Sequence, residues 1–171
     1  MKIQTLVVWS AGIAATAAVL GTSQSYRRWK RAQVERLHAE SQLLETARGT
    51  VEYQMTGAGP VVLMIHGGPG GYDQGMALAR LLDLHGVTVL ALSRPGYRRT
   101  PLTSGETPEA QADLFAAALD ALHVPQTVVI AVSWGGPSAL QFALRYPDRF
   151  RGLIMLPTLT QRYTEEEVYL E

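Results

Sequence analysis

A chain of 171 residues with fifteen acidic and fifteen basic side chains has room for about one domain and carries no net charge. It contains no cysteine, so disulfides, thiol chemistry and cysteine-ligated metal are excluded. The charge is unevenly placed: Arg27, Arg28, Lys30, Arg31 and Arg36 fall within ten positions, while from Ser41 onward nine basic residues stand against thirteen acidic ones. The larger part is therefore mildly acidic, which excludes a nucleic-acid footprint there.

Ile3 to Leu20 is mostly apolar and uncharged. At ~1.5 Å per residue these eighteen residues reach about 27 Å, near the hydrocarbon thickness of a bilayer. The expectation is a membrane anchor over residues 1–21. A cleaved signal peptide, suggested by the small residues around Ala15-Thr16-Ala17, and a soluble helix are the competing readings. The arginines that follow favour an uncleaved anchor with the globular part on the cytoplasmic side. Residues 22–40 read as a basic helical linker. Its arginines either meet anionic lipid headgroups or form a solvated face.

The globular part is expected over residues 41–171. Leu43 to Ala47 and Thr50 to Met55 read as strands around a turn at Arg48-Gly49. Val61 to Ile65 is an apolar run and reads as a strand buried on both faces. A helix is expected over Gln74 to His85, capped by Asp73 and ended by Gly86, with Leu78, Leu81, Leu82 and His85 on one face. Val87 to Leu92 is the next strand. Thr107-Pro108-Glu109 opens a helix with a capping threonine and a proline in the first turn, and Leu114, Ala118 and Leu122 form its buried stripe. Thr127 to Val132 is a strand, Pro137 to Leu144 a helix, and Gly152 to Leu156 a last strand. Alternation of this kind predicts an α/β fold: a mostly parallel sheet with helices on both faces.

Two stretches carry chemistry. In Ala131-Val132-Ser133-Trp134-Gly135-Gly136 a strand reverses directly into a helix, with Ser133 at the corner. Ala131 and Gly135 flank it where side chains would collide. The corner backbone is expected to be strained, the hydroxyl exposed, and the helix N-terminus behind it able to stabilise an anion. His66-Gly67-Gly68-Pro69-Gly70-Gly71 is a glycine-dense loop through which backbone N–H groups can approach a substrate.

Together with Ser93-Arg94-Pro95-Gly96-Tyr97-Arg98-Arg99-Thr100-Pro101, these stretches resemble the α/β-hydrolase family in motif, order and spacing over roughly residues 41–160. Ala131 stands where the family's elbow usually has glycine. The resemblance implies a serine hydrolase acting on an ester or amide carbonyl, of the proline iminopeptidase-like or esterase-like branch. It implies Ser133 as nucleophile, the N–H groups of Gly68 and Trp134 as oxyanion hole, a small acyl or peptide-like substrate, and no metal or organic cofactor. Serine at the elbow argues against the members that use aspartate there, such as haloalkane dehalogenases and epoxide hydrolases.

The family's chain order is nucleophile, acid, histidine. All four histidines here, His38, His66, His85 and His123, precede Ser133. His66 reads as structural, with a minor reading as a stand-in base; the others read as solvated. The acids after Ser133 are Asp148, Glu165, Glu166, Glu167 and Glu171. Asp148 reads as framework and the glutamates as the start of a cap. The last strands, the triad acid and the histidine are expected to lie outside these residues: in a longer gene product, or on a separate polypeptide. The alternative is a non-catalytic, membrane-tethered binding protein on a hydrolase-like fold. Arg94 is expected to pair with an acid in a tight turn. Trp134 is expected to wall the pocket; Tyr72 and Tyr97 either line it or pack at the surface.

Overall fold

A computed structural model describes the backbone of residues 3–160 and the side chains of residue 16 and residues 18–160. The chain divides into two units, Met1–Glu40 and Ser41–Glu171.

The first unit is one helix, α1 (Ile3–Glu40), of 38 residues. No break separates the expected anchor from the expected linker, and Gly21 is accommodated inside the helix. Its described side chains are largely exposed, Val19, Leu20, Tyr26 and Trp29 among them. Among the described residues no helix is long and apolar enough to cross a membrane, so the expected transmembrane span has no support here. Most of Ile3 to Leu20 lies among residues whose side chains are outside the described set.

The second unit is a six-stranded sheet of β1 (Gln42–Thr46), β2 (Gly49–Gly57), β3 (Val61–Ile65), β4 (Thr88–Leu92), β5 (Thr127–Ser133) and β6 (Phe150–Thr158) in the order β1-β2-β4-β3-β5-β6. The β1–β2 hairpin and the β2–β4 pair are antiparallel; β4, β3, β5 and β6 run parallel. The apolar runs Val61–Ile65 and Thr88–Leu92 form the middle of the sheet, where both faces are covered. Leu63, Ile65, Leu90, Leu92, Val129 and Ala131 pack against α3 (Pro108–Ala121) and α4 (Gly136–Arg145). The alternate residues Met64 and Ala91 face α2 (Tyr72–Leu81), where a β-carbon at Gly75 would lie 3.0 Å from that of Ala91. Helices thus cover both faces, as expected.

Helix α3 starts as its sequence dictates: Thr107 accepts a hydrogen bond from the Ala110 N–H, Pro108 opens the first turn, and Leu114 and Ala118 are fully buried. Helix α2 differs from expectation. It runs over Tyr72–Leu81, Gly71 is its cap, and Asp73 pairs with Arg98 at 2.7 Å instead of capping. Its buried face is Tyr72, Gly75, Met76 and Ala79, while Leu81 is 80% exposed. Small residues at positions 75 and 79 let the helix sit close to the sheet, which the leucines could not. Asp83 then turns left-handed at φ +52 and ends the helix before His85 and Gly86.

Strand β6 has no fully buried residue, and Ile154 is 48% exposed. Asp148 lies in a single 3-10 turn, Pro147–Arg149, in keeping with a framework role. Glu165, Glu166, Glu167 and Glu171 lie outside the described residues.

Candidate active site

Ser133 ends β5 with φ +52, in the left-handed region that a non-glycine residue enters only under constraint. The constraints are visible around it. A β-carbon at Gly135 would lie 2.7 Å from the Ile65 carbonyl oxygen and 2.8 Å from that of His66, so only glycine lets the chain turn so close to β3. The Gly135 N–H bonds back to the Val132 carbonyl at 2.9 Å, and α4 starts at the next residue. From β6, the Thr158 hydroxyl and the Leu159 N–H both donate to the Ser133 carbonyl. The β5–β6 register shifts at this point, between Val132 and Ser133. The elbow is thus held from both neighbouring strands, with its hydroxyl-bearing residue half-buried at the carboxyl edge of the sheet.

The glycine loop lies against the elbow. A β-carbon at Gly67 would meet the Ser133 β-carbon at 2.9 Å; one at Gly68 would touch the Trp134 Cδ1 at 3.5 Å, an ordinary contact. The steric demand for glycine therefore falls on position 67. Gln74, in the first turn of α2, shapes the loop: its Oε1 accepts from the Gly67 N–H at 2.6 Å and its Nε2 donates to the Pro69 carbonyl at 3.1 Å. Sequence reasoning passed over Gln74, and no local pattern marks it; only its position one turn into α2 brings it under the loop. Among the described residues the N–H groups of Gly68 and Trp134 have no protein acceptor. The Trp134 indole is 56% exposed, so it does not form an enclosed pocket wall.

His66 is fully buried. Its Nε2 accepts from the Arg94 N–H at 2.8 Å, which leaves Nδ1 to carry the proton and donate to the Gly67 carbonyl at 2.8 Å. Burial pushes its pKa down to about 4, so the ring is neutral at pH 7 with both nitrogens engaged. The minor reading of His66 as a stand-in base is thereby corrected, since its lone pair already takes a backbone N–H. His85 pairs with Asp83 at 2.7 Å and is exposed. It and His123 precede β4 and β5, at the end of the parallel strands opposite Ser133. From Thr127 to Ser133 alone the strand rises about 20 Å. His38 belongs to α1.

Arg94 is buried, and its partners differ from expectation. Its guanidinium donates to the Gln111 Oε1 at 3.2 Å and to the His66 carbonyl at 3.1 Å, and it sits 5.3 Å from the Tyr97 ring centroid. The Ser138 hydroxyl of α4 donates to the same Gln111 oxygen at 2.6 Å. No carboxylate reaches it among the described residues, and burial lowers its pKa. Arg94 is thus a neutral-partner clamp between the root of the glycine loop and the first turn of the elbow helix. Tyr97 stands edge-on to His66, with ring centroids 4.8 Å apart; Tyr72 is fully buried in the interior, neither at the surface nor lining an open pocket. Among the described residues no group of carboxylates and imidazoles is arranged to hold a metal ion.

Comparison with known proteins agrees with this geometry. The chain is 34% identical over 115 residues to the uncharacterised hydrolase YcgS of Bacillus subtilis (strain 168), a match covering 67% of the chain and 40% of that protein. An alpha/beta hydrolase fold protein from Nakamurella multipartita superposes with a TM-score of 0.70 at 45% identity, over 75% of this chain and 46% of that one. A thermophilic esterase from Thermogutta terrifontis superposes with a TM-score of 0.62 at 28% identity, over 74% and 48%. The chain therefore spans less than half the length of these relatives. The family model of the alpha/beta hydrolase fold matches residues 60–168, a span that takes in β3, the glycine loop, the elbow and β6, and the chain belongs to that family.

Proposed function

We propose that this chain carries the nucleophile and oxyanion hole of a serine hydrolase acting on an ester or amide carbonyl. The observation that carries this reading is Ser133 at φ +52, packed against Gly67 and followed at once by α4. Strain of this kind persists only where surrounding structure enforces it, and it clusters at reacting residues. Ser133 Oγ attacks the carbonyl carbon, its proton passes to a base, and the carbonyl π electrons move onto oxygen. The N–H groups of Gly68 and Trp134 and the N-terminus of α4 face that negative charge. Collapse expels the alcohol or amine, which takes up the proton. Water then repeats the sequence, releasing the acid and restoring the hydroxyl.

The base and its orienting acid come, on this reading, from polypeptide outside the described residues, either further along the gene product or on a separate chain. By themselves residues 3–160 are expected to turn over simple esters little or not at all, because a serine without its base loses orders of magnitude in rate. The state of the histidines favours one alternative for this chain alone: a binding protein on a hydrolase fold, since His66 is engaged and His85 and His123 lie at the far end of the strands. Ester hydrolysis by the natural protein with and without Ser133→Ala separates the two. Loss of turnover in the variant supports the hydrolase; absence of turnover in both, or its survival in the variant, overturns it.

For α1 the proposal is membrane association through residues 3–20, with the globular unit on the cytoplasmic side. It is supported by the apolar sequence of that stretch and the basic residues that follow. Chain released by alkaline carbonate, or a mature N-terminus near residues 17–23, would overturn it.

A further inference from the structure

Tyr26 and Trp29, one turn apart on α1, lie tilted to each other with ring centroids 5.9 Å apart at 31°, and each is 59% exposed. A helix advances roughly 100° per residue, which places this pair in one sector and Arg27, Arg28, Lys30 and Arg31 across an arc of about 160° on the other side. All four cations are exposed. Among the described residues none is paired with an acid, whereas Arg36 further along reaches Glu40 at 3.9 Å.

Residues 26–31 occupy about 8 Å of helix rise, and the headgroup region of one leaflet is roughly 5–8 Å thick. Counted from Leu20, residues 26–31 begin about 9 Å beyond the apolar stretch, so the two aromatic rings and four unpaired cations share one axial level at the aqueous edge of that layer, from which the long lysine and arginine side chains reach back to phosphate. A helix standing through the layer meets lipid on every side and uses both sectors at once. Amphipathic rings sit at the headgroup level, and lysine and arginine meet phosphate there. A nucleic acid or an acidic protein would engage the basic sector and leave the exposed aromatic pair with nothing to bind.

We propose that residues 26–31 form a headgroup-binding girdle that selects membranes containing anionic phospholipid. The girdle rests on the membrane reading of residues 3–20, and it can fail while that reading stands. The test is flotation of the whole chain with vesicles of phosphatidylcholine alone and of phosphatidylcholine mixed with phosphatidylserine, at low and high salt. The girdle predicts preference for the phosphatidylserine vesicles, weakened by salt. With Arg27, Arg28, Lys30 and Arg31 all changed to glutamine, the preference falls by on the order of a thousandfold, from about 1 kcal/mol for each charge. Helicity by circular dichroism stays, because glutamine is a good helix former. Tyr26→Ser with Trp29→Ser weakens binding to both vesicle types.

Equal binding of the unaltered chain to both vesicles overturns the girdle, as does a preference that survives the four substitutions. So does a DNA duplex that strips the chain from phosphatidylserine vesicles at equal phosphate, which would assign the cations to nucleic acid. Release of vesicle-bound chain by alkaline carbonate overturns the span of residues 3–20 and the girdle with it, whereas carbonate-resistant chain that binds both vesicles equally overturns the girdle alone.

Discussion

Gly67 and Ser133 are packed so closely that a β-carbon at position 67 would lie 2.9 Å from the β-carbon of Ser133. The first glycine of the loop is therefore the contact that seats the loop on the elbow, and the second is free to present its N–H. Gly67→Ala is expected to destabilise the fold by about 1–3 kcal/mol through overpacking and to displace the loop from Ser133. At Gly68 the added methyl would be in ordinary contact with Trp134, so Gly68→Ala should leave the melting temperature nearly unchanged. Thermal melts of the two variants side by side check this. Equal destabilisation would contradict the packing described.

Gln74 holds the loop from below through two hydrogen bonds of opposite sense. Gln74→Met keeps the side-chain length and removes both. The expected loss of stability is about 1–3 kcal/mol, since the Gly67 N–H and the Pro69 carbonyl lose their partner. Gln74→Glu retains the acceptor for the Gly67 N–H and should recover part of it. Chemical denaturation with equal slopes for all three proteins is the measurement. A glutamate variant no better than methionine would show that the Gly67 bond is not the important one.

His66 makes stability depend on pH in a definite window. Its pKa falls from 6.5 in the unfolded chain to about 4 in the fold, because the buried ring must stay neutral. The unfolded chain therefore binds a proton that the folded chain refuses. The stability His66 provides is complete above pH 6.5 and is lost as pH falls toward about 4. The full loss is about 3 kcal/mol, from a shift of roughly two and a half pH units at 1.36 kcal/mol each. Glu52, whose carboxylate is stabilised by Ser41, Arg99 and Ser93 against the opposing effect of burial, is held below the usual carboxylate range and loses its contribution only at lower pH. Denaturation midpoints across this range should fall for the unaltered chain and stay flatter for His66→Asn above pH 4.5. Parallel curves would show that His66 does not titrate as its burial requires.

The sheet was readable because its central strands are continuous β-branched and apolar runs, which only a doubly covered strand tolerates. The elbow was readable because small residues flank a serine between such a run and a helix. Helix α2 was misread because its end depends on Asp83 turning left-handed, and its buried face depends on Gly75 and Ala79 fitting against Met64 and Ala91. A hydrophobic-periodicity argument weighs leucines and overlooks such small residues. The partner of Arg94 could not be read for a different reason. Gln111 and the His66 carbonyl lie on separate elements, and nothing local to residue 94 announces them. The same holds for Gln74, whose role exists only once α2 is docked beneath the glycine loop.

The central claim is that Ser133 is the reacting nucleophile of a hydrolase to which this chain contributes. Its most direct test is fluorophosphonate labelling of the natural protein in the cells that make it, followed by peptide mapping. The expected result is a single adduct on Ser133 Oγ, absent after heat denaturation and absent from Ser133→Ala. An adduct on another residue, or labelling that persists in Ser133→Ala, would contradict it.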